Sequence, residues 1–523
     1  MTRREVLQAL SGIMLGMFVA LLAATITSTS MPRIVAELGG SQTAYTWVLT
    51  GELLAQTITV PIWGKLSDMF SRKLLVQIAL VITVLAAATA GFSQSIGMLI
   101  VCRAAQGIGA GGLMALATVL IADIVSPRER GRYMGLMGGI MAVAQVGGPL
   151  VGGLITDSFL GWRWNFFIGI PFAIAAAIVL QRNLNLPVRP RGTARIDFAG
   201  ATLIMAGVSL LLIWVTFAGN SFAWLSWQTV AMVAGTLAAL VAAVFVENRV
   251  ADPIIPMRLF ADRTFTLAII GSISVGVAMF GCSVFLSQYL QLARERTPTE
   301  SGLMTIPMVV GMLVAGVVLG RIISSTGRYK MVLIGGAIVL IIALLGMSTL
   351  SETTNFWLIG VYLFLLGISV GALMQNLVLA VQNTLDVSEM GVGTSTIAFF
   401  RTLGGAVGVS VLGAVVANIV RADLTQGLIA IGINPAVLGT EHAVPNPAAL
   451  PVEVVPIVQH AYAEGISRIF LIAVPMAVIA LICVLLLKEV PLGQLSGIQQ
   501  MMASDNPDIA GAEAINEAEI AEA

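Results

Sequence analysis

The sequence predicts an all-α membrane protein of about fourteen transmembrane helices, and three observations carry that prediction. The chain of 523 residues is 58% hydrophobic and only 10% charged, where soluble domains carry roughly 25% charged residues. Its mean hydropathy is +0.96, so the residues needed for a polar shell around a soluble core are missing. The apolar residues also gather into runs of about 20, the length that crosses a bilayer as a helix. Zero net charge removes the electrostatic reason to expect a nucleic-acid partner.

In chain order the candidate spans are 9–31, 45–66, 74–92, 98–122, 133–158, 164–181, 197–218, 226–247, 264–289, 301–323, 330–349, 356–380, 396–420 and 467–487. Many contain glycine, which membrane helices tolerate better than soluble ones. The first run lacks a small-residue cleavage site and is followed by further spans, so it reads as a retained helix. Residues 422–466 form the longest connection, Pro-dotted and partly amphipathic, and read as an outer loop with a surface helix. The stretch after Lys488 is acidic and Ala-rich, and reads as a disordered tail.

Lys and Arg in the short loops orient the chain. With the N-terminus in the cytoplasm, one side collects Arg3, Arg4, Lys65, Arg72, Lys73, Arg128, Arg130, Arg132, Arg182, Arg321, Arg328, Lys330 and Lys488 among others, against a few such as Arg33, Arg163 and Arg294. The bias is about threefold and places both termini on the cytoplasmic side of an inner membrane. Trp47, Trp162, Trp164, Trp224, Trp227 and Trp357 fall near outer span ends, as an interfacial aromatic belt does.

Two loops on the basic side resemble each other. Gly64-Lys-Leu-Ser-Asp68-Met-Phe-Ser71-Arg72-Lys73 follows the second span, and Gly320-Arg-Ile-Ile-Ser324-Ser-Thr-Gly327-Arg328-Tyr-Lys330 follows the tenth. Matched loops in two halves are what a transporter built from a repeated bundle shows. The expected units are an N-terminal six-helix bundle over 1–182, a linker with two extra spans over 183–262, a C-terminal six-helix bundle over 263–490 and the tail over 491–523.

The first of these loops resembles the GxxxDxxGRR/K-like cytoplasmic signature of the major facilitator superfamily, with Ser71 where that family usually has Gly. Arg103-Ala-Ala-Gln106-Gly107-Ile-Gly109 is similar to its fourth-span motif. Gly147-Gly148-Pro149-Leu-Val-Gly152-Gly153 resembles the fifth-span motif associated with antiporters. Leu22 to Pro32, Trp162 to Phe167 and Phe399 to Gly405 resemble segments of the fourteen-span drug:proton antiporters, the QacA/EmrB-like group. The resemblance reaches to about residue 490. It implies a major facilitator fold, two six-helix bundles rocking about a central cavity, with two additional helices joining them.

The resemblance also assigns candidate sites. Gly64, Asp68, Arg72, Lys73 and Arg328 would form a cytoplasmic gate, and Gly148, Pro149, Gly152 and Gly153 the antiporter motif. This chain departs from the family in the first span, where the usual Asp is Ala23. An ionisable residue, Glu52, stands instead in the second span, and an acid inside a membrane helix is a functional candidate by default. Glu52 lies five residues past Trp47 and Arg103 five past Met98, so at about 1.5 Å per residue both sit roughly 7 Å below the outer surface. The expectation is that Glu52 pairs with Arg103 and takes over proton coupling. Thr25, Gln106, Gln145, Gln288, Asn376 and Arg401 are cavity candidates.

No Walker A loop, HExxH or GxSxG is present. Cys102, Cys282 and Cys483 lie in apolar runs without metal-ligand or disulfide spacing. The expectation is therefore a transporter and not an enzyme, without metal or cofactor. Its partners would be small lipophilic substrates, protons and membrane lipids, and it would act as a monomer. The expected activity is export of lipophilic, often cationic drugs by proton antiport. The alternative on the same fold is export of an endogenous lipid or a siderophore.

Overall fold

The computed structural model describes residues 3–38, 42–183, 197–218, 222–250, 252–296, 298–386, 389–432 and 453–492. The expected tail over 491–523 lies almost wholly outside them, as do 184–196 of the linker and 433–452 of the outer connection. Among the described residues the regular structure is helical, apart from an isolated bridge between Ala218 and Phe222.

The first half comprises α1 (Arg3–Glu37), α2 (Gln42–Met69), α3 (Arg72–Gly91), α4 (Ile96–Ile124), α5 (Pro127–Asp157), the single turn α6 (Trp164–Phe167) and α7 (Gly169–Asn183). Next come α8 (Phe198–Phe217) and α9 (Trp227–Glu247), packed on each other, then a short 3-10 turn (Met257–Ala261). The second half comprises α10 (Arg263–Gln288), α11 (Pro298–Met304), α12 (Ile306–Thr326), α13 (Lys330–Met347), α14 (Phe356–Gln382), α15 (Met390–Ala430) and α16 (Val455–Leu486). Twelve of the helical segments are long and apolar enough to cross a membrane. Two more, α2 with 28 residues and α5 with 31, have the length. Both face the other half of the molecule.

Side chains punctuate the helices where the backbone needs partners. Ser95, Asp197, Ser226, Asp262 and Asn355 each accept an N–H from the first turn of the helix they precede, satisfying a donor that the helix itself leaves free. Helix α12 ends at Gly327 with φ +70°, the left-handed closure for which glycine is suited. Ser71, at the same place in the first loop, has φ −58°. No glycine is required there, which explains the departure from the family pattern.

Three helices overrun the apolar runs that announced them. Helix α1 starts at Arg3, α15 reaches Ala430 and α16 begins at Val455. Much of the expected 422–466 connection is thus a continuation of two long helices. Apolarity marks only the part of a helix in hydrocarbon, and the ends in polar surroundings keep their helical hydrogen bonds without it.

Two large cores form. One runs from Leu10 to Ile255 through α1 to α9, and the other from Leu259 to Leu492 through α10 to α16. Phe399 of α15 is the one second-half residue in the first core. Leu85, Val101, Leu154, Val230, Val241, Met331, Val361 and Leu471 are exposed apolar residues on the outer faces, the girdle that a lipid solvent accepts and water does not. Burial sorts the helices: 89% of the most apolar window of α4 is inside, against 11% for α9. Helix α4 is therefore central, and α8 with α9 is peripheral.

The halves repeat each other in detail. A methyl group on Gly107 of α4 would lie 3.0 Å from the Glu52 carbonyl carbon of α2. One on Gly367 of α14 would lie 2.9 Å from the Met308 carbonyl carbon of α12. Glu52 and Met308 are as far apart in sequence as Gly64 and Gly320, so the loop repeat and the helix contact share one register. The acid in the first half thus has an apolar counterpart in the second.

Candidate functional site

Helix ends on the side rich in Lys and Arg are joined tightly, and this basic end is where the halves lock. Asp68, at the end of α2, accepts the backbone N–H groups of Gly391 at 3.1 Å and Val392 at 3.0 Å. These belong to the first turn of α15, whose N–H groups have no partner inside the helix and favour negative charge. Arg72 lies 3.6 Å from Asp68 and pairs with Asp123 of α4, while its Nε donates to the Ser67 carbonyl at 3.3 Å. The backbones meet because neither side has a side chain in the way. A methyl group on Gly64 would sit 2.9 Å from the Gly391 carbonyl oxygen, and one on Gly391 2.7 Å from that of Gly64.

A second tie lies beside the first. Gln382 of α14 donates to the Thr118 carbonyl at 3.4 Å and to Thr394 Oγ1 at 3.1 Å, and accepts from Arg130 at 3.5 Å. Arg130 is fully buried and also donates to the Ala122 and Val125 carbonyls at 2.6 and 2.9 Å. Arg258, after the linker helices, pairs with Glu389 at 2.5 Å on the surface. Of the remaining gate candidates, Lys73 donates to the Gln181 carbonyl of α7 at 2.8 Å, within its own half. Arg328 is exposed at the turn after α12. Neither belongs to the lock seen here.

Deeper in the first half, Glu52 and Arg103 form an ion pair, with exposures of 4% and 1%. Arg103 Nη1 also donates to Gln106 Oε1 at 2.9 Å and to Thr27 Oγ1 at 3.4 Å, and Thr27 is bonded to the Ala23 carbonyl at 2.8 Å. The network joins α1, α2 and α4. Two of its donors, Arg103 Nε and Gln106 Nε2, remain unmatched. A buried carboxylate beside a buried guanidinium can hold or release a proton as its surroundings are wetted or dried.

The antiporter-motif glycines divide by face. Gly148 and Gly152 bring α5 against α1: a methyl group on them would lie 2.6 Å from Thr25 Cβ and 2.7 Å from the Ile26 carbonyl oxygen. Gly153 has open space around it. The side chains of Pro149 and Gln145 lie outside the described residues. Thr25 donates across to the Ala144 carbonyl of α5 at 3.0 Å, so it fastens the same contact. Gln288 is half-buried near the end of α10. Asn376 donates to the Ala372 carbonyl of its own helix at 2.7 Å. Arg401 donates to the Met374 carbonyl of α14 at 3.4 Å.

Sequence reasoning missed Gln382, Gly391 and Asn165. Asn165 donates to Ser30 at 2.5 Å and Thr156 at 2.8 Å, tying α6 to α1 and α5. Trp162 donates to Glu37 at 2.7 Å. A buried polar residue inside an aromatic segment was the available signal for Asn165. Nothing local marks Gly391 as the partner of Asp68.

Comparison with known proteins bears on this geometry. A model of the Major Facilitator Superfamily matches residues 13–409. An uncharacterized MFS-type transporter of Mycobacterium tuberculosis is 37% identical over 488 residues, covering 92% of this chain and 69% of the relative. The multidrug transporter protein MdtP of Bacillus subtilis is 35% identical over 406 residues, covering 78% and 74%. Among solved structures, the human organic anion transporter MFSD10 is similar in fold, with a TM-score of 0.58 at 15% identity, over 90% of this chain and 99% of that one. With a family match over most of its length and such identity to transporters, the chain belongs to the Major Facilitator Superfamily.

Proposed function

We propose that this protein is a proton-driven exporter of lipophilic compounds, cationic drugs among them, working by alternating access. The observation that carries the reading is the Glu52–Arg103 pair, an acid and a base buried together in the most enclosed part of the first half. Such a pair is costly unless it is used or fully satisfied, and this one keeps unmatched donors. Protonation of Glu52 would release Arg103, and a cationic substrate would compete for the same carboxylate. The MdtP multidrug transporter and the efflux pump FUS6 of Gibberella fujikuroi, 32% identical over 411 residues, support export as the direction.

On this reading α2 and α5 also cross the membrane, giving fourteen spans as in the drug:proton antiporters. The basic end faces the cytoplasm of a bacterial inner membrane, with both termini there. The halves are the two rocking bodies, α8 and α9 link them, and one chain suffices as the working unit. The test is ethidium efflux from a pump-deficient bacterium expressing the wild type or Glu52→Gln, with and without a protonophore. Expected is efflux by the wild type that the protonophore stops, and none by the well-expressed variant. Unchanged pH-dependent efflux by Glu52→Gln would remove Glu52 from coupling.

A further inference from the structure

The second half holds a half-buried cation, Arg401, that the proposed coupling does not use. Arg401 of α15 makes the Met374 hydrogen bond and, among the described residues, pairs with no carboxylate. A guanidinium carries five donors in a rigid fork and stays charged in proteins. Arg130, the other deeply placed arginine without an acid, differs: two carbonyls and the Gln382 amide oxygen surround it.

Three helices converge at Arg401. A methyl group on Gly276 of α10 would lie 3.1 Å from the Arg401 carbonyl carbon. One on Gly271 would lie 3.5 Å from Leu377 of α14. Ser272 stands between those two α10 contacts, and Gln375 follows Met374 directly on α14. Ser272 is 1% exposed and its Oγ has no hydrogen-bond partner, and Gln375 is 5% exposed with an unmatched Oε1. One level of the bundle therefore gathers an unneutralised guanidinium and two unmatched polar groups. Buried polar groups are nearly always bonded, and a cluster of exceptions needs an explanation. Helices α14 and α15 also pack across onto α5 and α2, and Phe400 and Leu403 beside Arg401 meet the first core, so this level borders the contact between the halves.

Charge decides what would enter. In the first half the Glu52 carboxylate is already matched by Arg103, so the charge without a partner here is positive. We propose that Arg401, with Gln375 and Ser272, forms a recognition site for the anionic head of a lipophilic organic acid in the space between the halves. Arg401 supplies the planar fork that suits a carboxylate, Ser272 a further donor, and Gln375 Oε1 an acceptor for a hydroxyl or N–H of the same ligand. The inference rests on the export reading and names a substrate class for it.

The test is direct binding to the purified full-length protein, followed by tryptophan-to-pyrene energy transfer. The probes are pyrenebutyrate, its neutral amide and the corresponding amine, so that only the head group differs. The wild type is expected to hold the acid about ten- to hundredfold more tightly than the amide. Arg401→Gln abolishes that preference and leaves the amide unchanged, while Arg401→Lys keeps part of it. Equal affinity of the wild type for acid and amide overturns the proposal, and that comparison needs no variant to fold. Loss of acid and amide binding alike in Arg401→Gln, with Arg401→Lys intact, also overturns it. Protonophore-sensitive efflux is measured separately: acid preference without such efflux sinks the export reading and leaves the anion site standing.

Discussion

Arg103 holds four groups of the first half together at once: the Glu52 carboxylate, the Gln106 amide, the Thr27 hydroxyl and, through Thr27, the Ala23 carbonyl. Removing one partner of a buried ion pair leaves the other charge uncompensated, which costs about 3–5 kcal/mol. Arg103→Gln and Glu52→Gln should each lower the melting temperature of the purified protein. The double variant Glu52→Gln/Arg103→Gln should recover most of the loss, because two neutral amides can bond to each other. Melting curves of the four proteins form a cycle that isolates the pair. Additive losses would mean that the two residues act independently. The pairing was legible in the sequence by counting residues from each helix end. The Thr27 and Gln106 contacts were not, since they depend on how α1, α2 and α4 rotate about their axes.

At the scale of the element, the two matched loops show how one sequence motif meets two backbone demands. Gly327 is at φ +70°, a conformation that an L side chain adopts at a cost of about 1–3 kcal/mol, whereas Ser71 is not. Gly327→Ser should therefore destabilise the second half measurably, and Ser71→Gly should do little beyond loosening its turn. Thermal unfolding followed by fluorescence decides it; equal effects would refute the argument. The helices themselves were legible because hydrocarbon demands about 20 apolar residues per span. What escaped was the helix beyond the membrane, as in α15 and α16, where no apolar pattern is required. The Asp68 tie was legible only from one side. Its motif announced an anion at the end of α2, but the Gly391 and Val392 donors are ordinary backbone amides that any residue carries. Gly391→Ala should press on the Gly64 carbonyl and loosen the basic end. A thiol reagent applied to Ser67→Cys should then label it faster in the Gly391→Ala background. Unchanged labelling would mean that the close backbone approach is not what holds α2 and α15 together there.

For the whole molecule, the arrangement of the ties defines the state. Asp68 with α15, and Gln382 with Thr118 and Arg130, join the halves at the basic end. Apolar contact between the halves is broader than these ties: α5 packs along α12 and against α11, and Phe399, Phe400 and Leu403 of α15 meet the first core. On the proposed alternating-access cycle, this arrangement is one of two states whose populations a ligand can shift. If opening of the basic end is obligatory for transport, fixing it shut must stop the cycle without destroying the site. Asp68 and Val392 offer the place, since the carboxylate of one already accepts the backbone N–H of the other across the halves. Asp68→Cys/Val392→Cys joined by a short bifunctional thiol reagent should bind substrate added from the opposite end yet export none, and a reducible linker should restore the export of the unlinked variant on cleavage. The native Cys102, Cys282 and Cys483 are buried and lie on other helices than the introduced pair. Export by the fully cross-linked protein would show that the basic end need not open, and that the rocking of two halves about this lock is not how cargo crosses.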